Sequence, residues 1–297
     1  MSDRPRFWQL IISQMRRALD FRLLLFWLIA SWLLTLFVAL PLAGVLRDAL
    51  DFSAYSDALV QRLNLDALSA IGSAYQQSEV AIQTNVTFAW VGALLFAPML
   101  TALAAAIFAA TGKLPWRTLF GRALLDYGRW FWLHLSAFLL YLLGFAIAAV
   151  VAASAEIRVE EYVDAHSFAW AQTLSWLLAL LIALMTHFFV EVARAEYLLD
   201  PGLRFPPRAF LRALARTQLG RRIVGYLCVC GLGISLLLIL LLLRQRVSGA
   251  GLVAMLCTTV LAQGSVAVLA WLRTARLFVL AALVANTTSV ELEASPT

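Results

Sequence analysis

Apolar residues fall along this chain in long unbroken tracts, not in the short alternations of half-buried strands or the one-sided stripes of soluble helices. Six tracts contain no Asp, Glu, Lys or Arg over at least 21 residues: 23–46, 80–112, 130–155, 165–190, 223–243 and 247–272. Crossing a bilayer core takes roughly 20 helical residues. The second tract opens with Gln83, Thr84, Asn85 and Thr87, so its spanning part is nearer 86–110. Lipid satisfies no backbone polar group, which leaves the helix as the spanning form for apolar runs of this length. The pattern predicts an all-α polytopic membrane bundle with six transmembrane helices. The first tract exceeds a 7–15-residue signal-peptide core and five more follow, so it reads as a retained anchor.

Composition agrees. Of 297 residues, 63% are hydrophobic and 13% charged, against about 25% charged in soluble domains. Disorder, fibres and ordinary soluble enzymes are excluded. Charge then orients the chain. Segments 1–22, 113–129 and 191–222 carry five, four and seven basic residues, and Arg273 and Arg276 follow the last tract. Loops 47–79 and 156–164 are acidic on balance. Placing both termini in the cytoplasm puts eighteen of the 23 basic residues there, with Arg244 and Arg246 as the exception. The expected location is a bacterial cytoplasmic (inner) membrane. The net charge of +6 then concerns anionic headgroups and not nucleic acid. Trp27, Trp130, Trp132 and Trp271 fall near the inner ends of their spans and Trp90 and Trp170 near outer ends, as interfacial aromatics do. Trp32 and Trp176 lie deeper and are expected in packing.

Three basic segments precede the three hairpins these spans form. In 5–22, Gln9, Ser13, Arg16, Arg17 and Asp20 take one helical face and Trp8, Ile11, Ile12, Met15 and Leu19 the other. Segments 114–129 and 206–222 are similar, and the last stacks Arg208, Arg212 and Arg216 at four-residue spacing. Each is expected as a cytoplasmic amphipathic helix lying in the interface. The chain thus divides into units 1–112, 113–193 and 194–285 of one transmembrane domain, with 286–297 a flexible tail. The bland role of these helices is headgroup anchoring. The sharper one makes Arg208, Arg212 and Arg216 a docking surface for a partner such as a cytoplasmic ATPase. In the outer loop, 51–64 and 65–77 read as two short amphipathic helices capping the bundle.

Ionisable groups at membrane depth are the candidates for chemistry. His134 lies one turn inside the third span, and His187 and Glu191 share a face near the end of the fourth. The third and fourth helices are antiparallel neighbours, so the two histidines fall at similar depth. His134, His187, Glu191 and Arg194 form a candidate polar cluster for proton relay, metal or headgroup binding. The structural alternative is a histidine hydrogen-bonded near the headgroups beside an ordinary Glu191–Arg194 pair. No metal site, cofactor or catalytic residue is assigned. HExxH, Gly-x-Ser-x-Gly, Walker A and Gly-x-Gly-x-x-Gly motifs are absent, and an enzyme is not expected. Cys228, Cys230 and Cys257 lie inside spans as small buried hydrophobes. Thr35, Ser136, Thr186, Ser235, Thr258, Thr259 and Gln263 are expected to bond between helices. Gly144 with Ala148, and Ala102 with Ala106, have the spacing of close helix contacts.

The segment Arg204-Phe205-Pro206-Pro207-Arg208-Ala209-Phe210-Leu211-Arg212-Ala213-Leu214, a basic helix before a Gly-containing fifth span, resembles a loose group of bacterial six-span integral membrane proteins. That group includes the membrane domains of some glycerophosphodiester phosphodiesterases. The resemblance implies the architecture only. The group has no common catalytic motif in its membrane part, and these 297 residues hold no phosphodiesterase domain. Two functions are expected from the sequence. One is a transport or permease component working with a cytoplasmic ATPase or another membrane protein. The alternative is a non-transporting scaffold or assembly factor that binds lipid or membrane proteins.

Overall fold

The computed structural model describes residues 7–50, 65–110, 112–157, 165–203, 205–215, 219–247 and 251–294. These form eight helices, with no strand among the described residues: α1 (Phe7–Arg17), α2 (Phe21–Leu50), α3 (Leu65–Ala109), α4 (Trp116–Ile157), α5 (Ala165–Leu199), α6 (Pro206–Ala215), α7 (Leu219–Arg246) and α8 (Leu252–Ala294). Six are long and apolar enough to cross a membrane: α2, α3, α4, α5, α7 and α8. The chain is a six-span α-helical membrane protein. Consecutive spans pack as hairpins, α2 on α3, α4 on α5 and α7 on α8. Helix α8 is the hub, touching α1, α2, α3 and α5 besides its own partner.

Local chemistry explains the breaks. Asp20 ends the link between α1 and α2: its Oδ1 accepts from the Arg22 backbone N–H at 3.0 Å, and its carbonyl accepts from Leu23 and Leu24, an aspartate N-cap. Pro206 and Pro207 open α6, where a missing N–H costs nothing. No such breaker lies between Trp116 and Ile157, and from Trp116 onward the expected second interfacial helix, 114–129, is therefore the first turns of the 42-residue α4. Separate short amphipathic helices form only at α1 and α6 among the described residues. In the same way 65–77 continues into α3, and α8 runs on to Ala294, so that 286–294 of the expected tail is helical. Residues 51–64 and 158–164 lie outside the described residues.

At 1.5 Å per residue, α3, α4 and α8, with 45, 42 and 43 residues, are about twice as long as a ~30 Å hydrocarbon core is thick. Most of the buried residues occupy one end of this length. The core joins Leu10, Ile11 and Ala18 of the α1 region to Leu100–Ile107 of α3, Trp130 and Leu133 of α4, Phe188–Tyr197 of α5, Ala209 and Ala213 of α6, and Trp271–Leu283 of α8. This is the end where segments 7–22, 113–129 and 191–222 gather, called here the basic end. Toward the opposite end the hairpins separate. Ile234–Leu243 of α7 and Leu252–Val260 of α8 are largely exposed, and the most apolar stretch of α8 contains no buried residue.

That asymmetry corrects the reading of the tryptophans. Trp130 and Trp271 are buried in the core, and Trp271 Nε1 donates to the Met15 carbonyl at 3.1 Å. Trp32 and Trp176, expected to pack, are exposed. The close contacts fall where expected. A Cβ on Gly144 would lie 2.5 Å from Thr186 Oγ1, Ala148 and Ala152 meet Ala179 in a small separate cluster, and Ala102 and Ala106 are buried. Helices α2 and α3 continue through Pro41 and Pro98. Cys257 is exposed on α8, contrary to expectation, because it lies in the open half.

Candidate functional site

The candidate polar cluster assembles inside the basic end, but around residues of the last helix. Arg273 and Arg276, one turn apart on α8, each reach one histidine. An Arg273 Nη donates to His134 Nε2 at 3.2 Å, and an Arg276 Nη donates to His187 Nε2 at 2.8 Å. The two histidines do not bond to each other. A guanidinium can only donate, so each Nε2 is an acceptor. In a neutral ring the remaining proton sits on Nδ1. In His134 it faces the Trp130 carbonyl at 2.9 Å, and in His187 it faces the Tyr141 hydroxyl at 2.6 Å. Both nitrogens of both rings are engaged, which leaves no lone pair for a metal. Among the described residues no group of three His, Cys, Asp or Glu is placed to hold one.

Glu191 and Arg194 stand one turn apart on α5 and pair at 2.5 Å, with the Glu191 side chain 1% exposed. Thr101 bridges toward them: its hydroxyl lies 3.2 Å from His134 Nε2, and it lines one cavity with Trp27, Glu191, Arg194 and Arg273. That cavity holds about 10 Å³, the room of a single water. The Arg273 guanidinium lies over the Trp27 ring, 4.9 Å from its centroid. Below this, Arg222 at the start of α7 is 3.8 Å from Glu196, and both side chains are almost wholly buried. Three guanidinium groups, Arg194, Arg273 and Arg276, thus gather with Glu191 and the two histidines, and Arg222 with Glu196 forms a second buried pair.

Other arginines close helix ends. The last carbonyls of a helix lack intrahelical partners and carry its negative pole. Arg17 of α1 supplies donors to α3: Nη2 bonds the carbonyls of Ile107 at 2.9 Å, Phe108 at 2.9 Å and Ala110 at 2.5 Å. Arg129 of α4 does the same for α5, bonding the carbonyls of Tyr197 and Asp200 while its guanidinium stacks 4.2 Å from the Tyr197 ring centroid. Arg22 reaches the Leu114 carbonyl in the α3–α4 connection. Arginines counted by sequence as a cytoplasmic charge bias also tie one helix to the next.

The proposed docking stripe divides. On α6, Ala209 and Ala213 face the core, whereas Arg208 and Arg212 are exposed. Arg212 pairs with Asp200 at 2.7 Å, and that hydrogen bond, more than any cost of burial, holds the Asp200 carboxyl below its ordinary range. Arg216, like Arg204 of the resembling segment, lies outside the described residues. Six of the seven span residues expected to bond between helices turn back on their own helix instead, whereas Thr101, Tyr141 and Ser154 do reach across. Thr35, Ser136, Thr186, Ser235, Thr258 and Thr259 each donate to a carbonyl about one turn back in their own helix.

Sequence reading placed Arg273 and Arg276 beyond the last span and so missed the two residues that organise the centre. A signal was present: nine apolar residues, 277–285, follow Arg276 directly, so a helix ending at Arg273 would leave an apolar stretch unaccounted for. Comparison with protein-family models, with curated proteins and with solved structures returns no match.

Proposed function

We propose that this six-span protein is a non-transporting membrane scaffold. It is fastened at its basic end and open along its apolar hairpins at the other, where lipid or the helices of another membrane protein complete the packing. One observation carries the reading. The ionisable centre surrounds a void of about 10 Å³, and Arg194, Arg273 and Arg276 are each committed to a protein acceptor. A polar substrate needs a lined path, and Thr35, Ser136, Thr186, Ser235, Thr258 and Thr259 are turned back onto their own helices. The opposite half supports the partner role: Leu238, Ile239, Leu242, Leu256 and Val260 present apolar surface that no other helix covers among the described residues.

The test combines dynamics with capture. Hydrogen exchange on the full chain in nanodiscs is expected to show α5 residues 188–197 and α8 residues 270–284 as the slowest segments, exchanging as one population. A carrier must open this region, so two exchanging populations there would overturn the reading. A photo-crosslinking residue at Leu238 or Leu256 is expected to capture a discrete membrane protein or lipid in native membranes. Capture of a soluble ATPase from Leu211 of α6, with none from α7 or α8, would favour the permease component instead.

A further inference from the structure

A second feature of the basic end stands apart from the buried centre, and it holds whether the protein scaffolds or transports. Between the α1–α2 turn and the α3–α4 connection lies a recess of about 530 Å³, lined by Arg17, Asp20, Arg22, Phe108, Lys113 and Leu114 among others. We propose that this recess is a binding site for the phosphate headgroup of an anionic phospholipid.

Three observations carry it. The first is height. The apolar run of α2 begins at Phe21 and that of α3 ends at Ala109, so the recess sits where both legs of one hairpin leave the hydrocarbon, at the level of headgroups. The second is charge. Arg17, Arg22 and Lys113 face one carboxylate, and Asp20 is already engaged through both oxygens by Arg22 at 2.8 and 3.1 Å. Two positive charges are left over. The Arg17 bonds to described residues run from Nη2 to neutral carbonyls, which leaves its charge uncancelled and Nε and Nη1 as separate single donors. The third is the wall. Ile107, Phe108 and Leu114 stand among the cations, a mixture that suits a phosphoglycerol group and its first methylenes better than a free ion. The volume far exceeds one inorganic phosphate.

The experiment titrates the full chain in mild detergent with phosphatidylglycerol, with phosphatidylcholine and with inorganic phosphate. It follows thermal melting, and retained lipid by native mass spectrometry. Phosphatidylglycerol is expected to raise the melting temperature and to remain bound, and phosphatidylcholine is not. Lys113 is exposed and outside the helices, so Lys113→Gln is expected to melt like wild type without lipid. A basic residue near an anionic surface contributes about 1 kcal/mol, so this variant should bind phosphatidylglycerol about five-fold more weakly. Arg246→Gln, at the opposite end, should leave affinity unchanged. Equal responses to the two lipids would overturn the proposal, as would an unchanged Lys113→Gln or an equal loss in Arg246→Gln. A response to millimolar inorganic phosphate matching that to phosphatidylglycerol would assign the recess to free phosphate and overturn the lipid.

Discussion

Replacing Arg17 with alanine tests the idea that arginines at the basic end act as helix caps. Arg17 sits on α1 and its three acceptors lie about 90 residues away, so the bonds join two elements that nothing else in the local sequence links. A hydrogen bond to a charged donor contributes about 1.5–3 kcal/mol. One Nη2 group has two hydrogens for three carbonyls, so two full bonds are the ceiling. The recess beside them is open, and freed carbonyls can hydrate, which removes about half of that. The charge–dipole contribution adds about 0.3–1 kcal/mol. The net expectation is a loss of about 2–4 kcal/mol, and Arg17→Lys should recover the dipole part alone. Arg16, its exposed neighbour, is the control, because a surface substitution of this kind stays within about 0.5 kcal/mol. Reversible unfolding in mixed micelles, followed by tryptophan fluorescence, reads the difference. If Arg17→Ala and Arg16→Ala lose the same stability to within about 0.5 kcal/mol, the capping argument fails.

Four further outcomes follow from named contacts. Glu191→Gln leaves Arg194 buried without its countercharge and should cost about 3–5 kcal/mol; a loss under about 1 kcal/mol in the same unfolding assay would mean that the centre is hydrated. Gly144→Ala gains up to about 1 kcal/mol of helix propensity but forces Thr186 aside, at about 1–3 kcal/mol; it should destabilise in wild type and turn neutral or stabilising in a Thr186→Ala background, and an unchanged effect would dismiss the contact. Burial alone would raise the Asp20 carboxyl, but the hydrogen bonds and charge of Arg22 together outweigh it and hold the group below its ordinary range. A depressed carboxyl gives stability that is present above its unfolded value of 3.8 and is lost as pH falls through the folded one. Wild type should therefore exceed Asp20→Asn by a constant margin from about pH 5 to 8 that shrinks below about pH 4, and a margin that widens in acid would reverse the assignment. Arg212→Ala breaks an exposed pair and should cost about 0.2–1 kcal/mol, less at high salt; a salt-independent loss above about 2 kcal/mol would show the pair to be structural.

What the sequence disclosed and what it hid have one physical root. A span is a matter of solvent, and 21 or more uncharged residues cannot lie in water, so six crossings are legible from the runs alone. Packing inside lipid is a different matter, because the face turned to a neighbouring helix and the face turned to acyl chains are equally apolar. Nothing in the hydropathy of 130–155 says that Trp130 and Leu133 are buried while Leu139, Leu142 and Leu143 are exposed. Small residues mark close approach, which is why Gly144 and Ala148 could be read in advance. Matching depth on paired helices suggested that His134 and His187 could meet, but each bonds a different arginine of α8 instead. The chemistry between them depends on α8, more than 80 residues away in the chain, and an arginine that ends a hydropathy run looks the same whether it reaches water or turns inward. Arginines that bias orientation are available at little extra cost to cap the ends of descending helices, because those ends and the basic segments meet at one level. That coincidence puts the core of this protein at one end instead of mid-bilayer. A basic end built this way holds the hairpins by polar bonds from α1, α4 and α8, and the apolar halves are left to pack on whatever the membrane supplies.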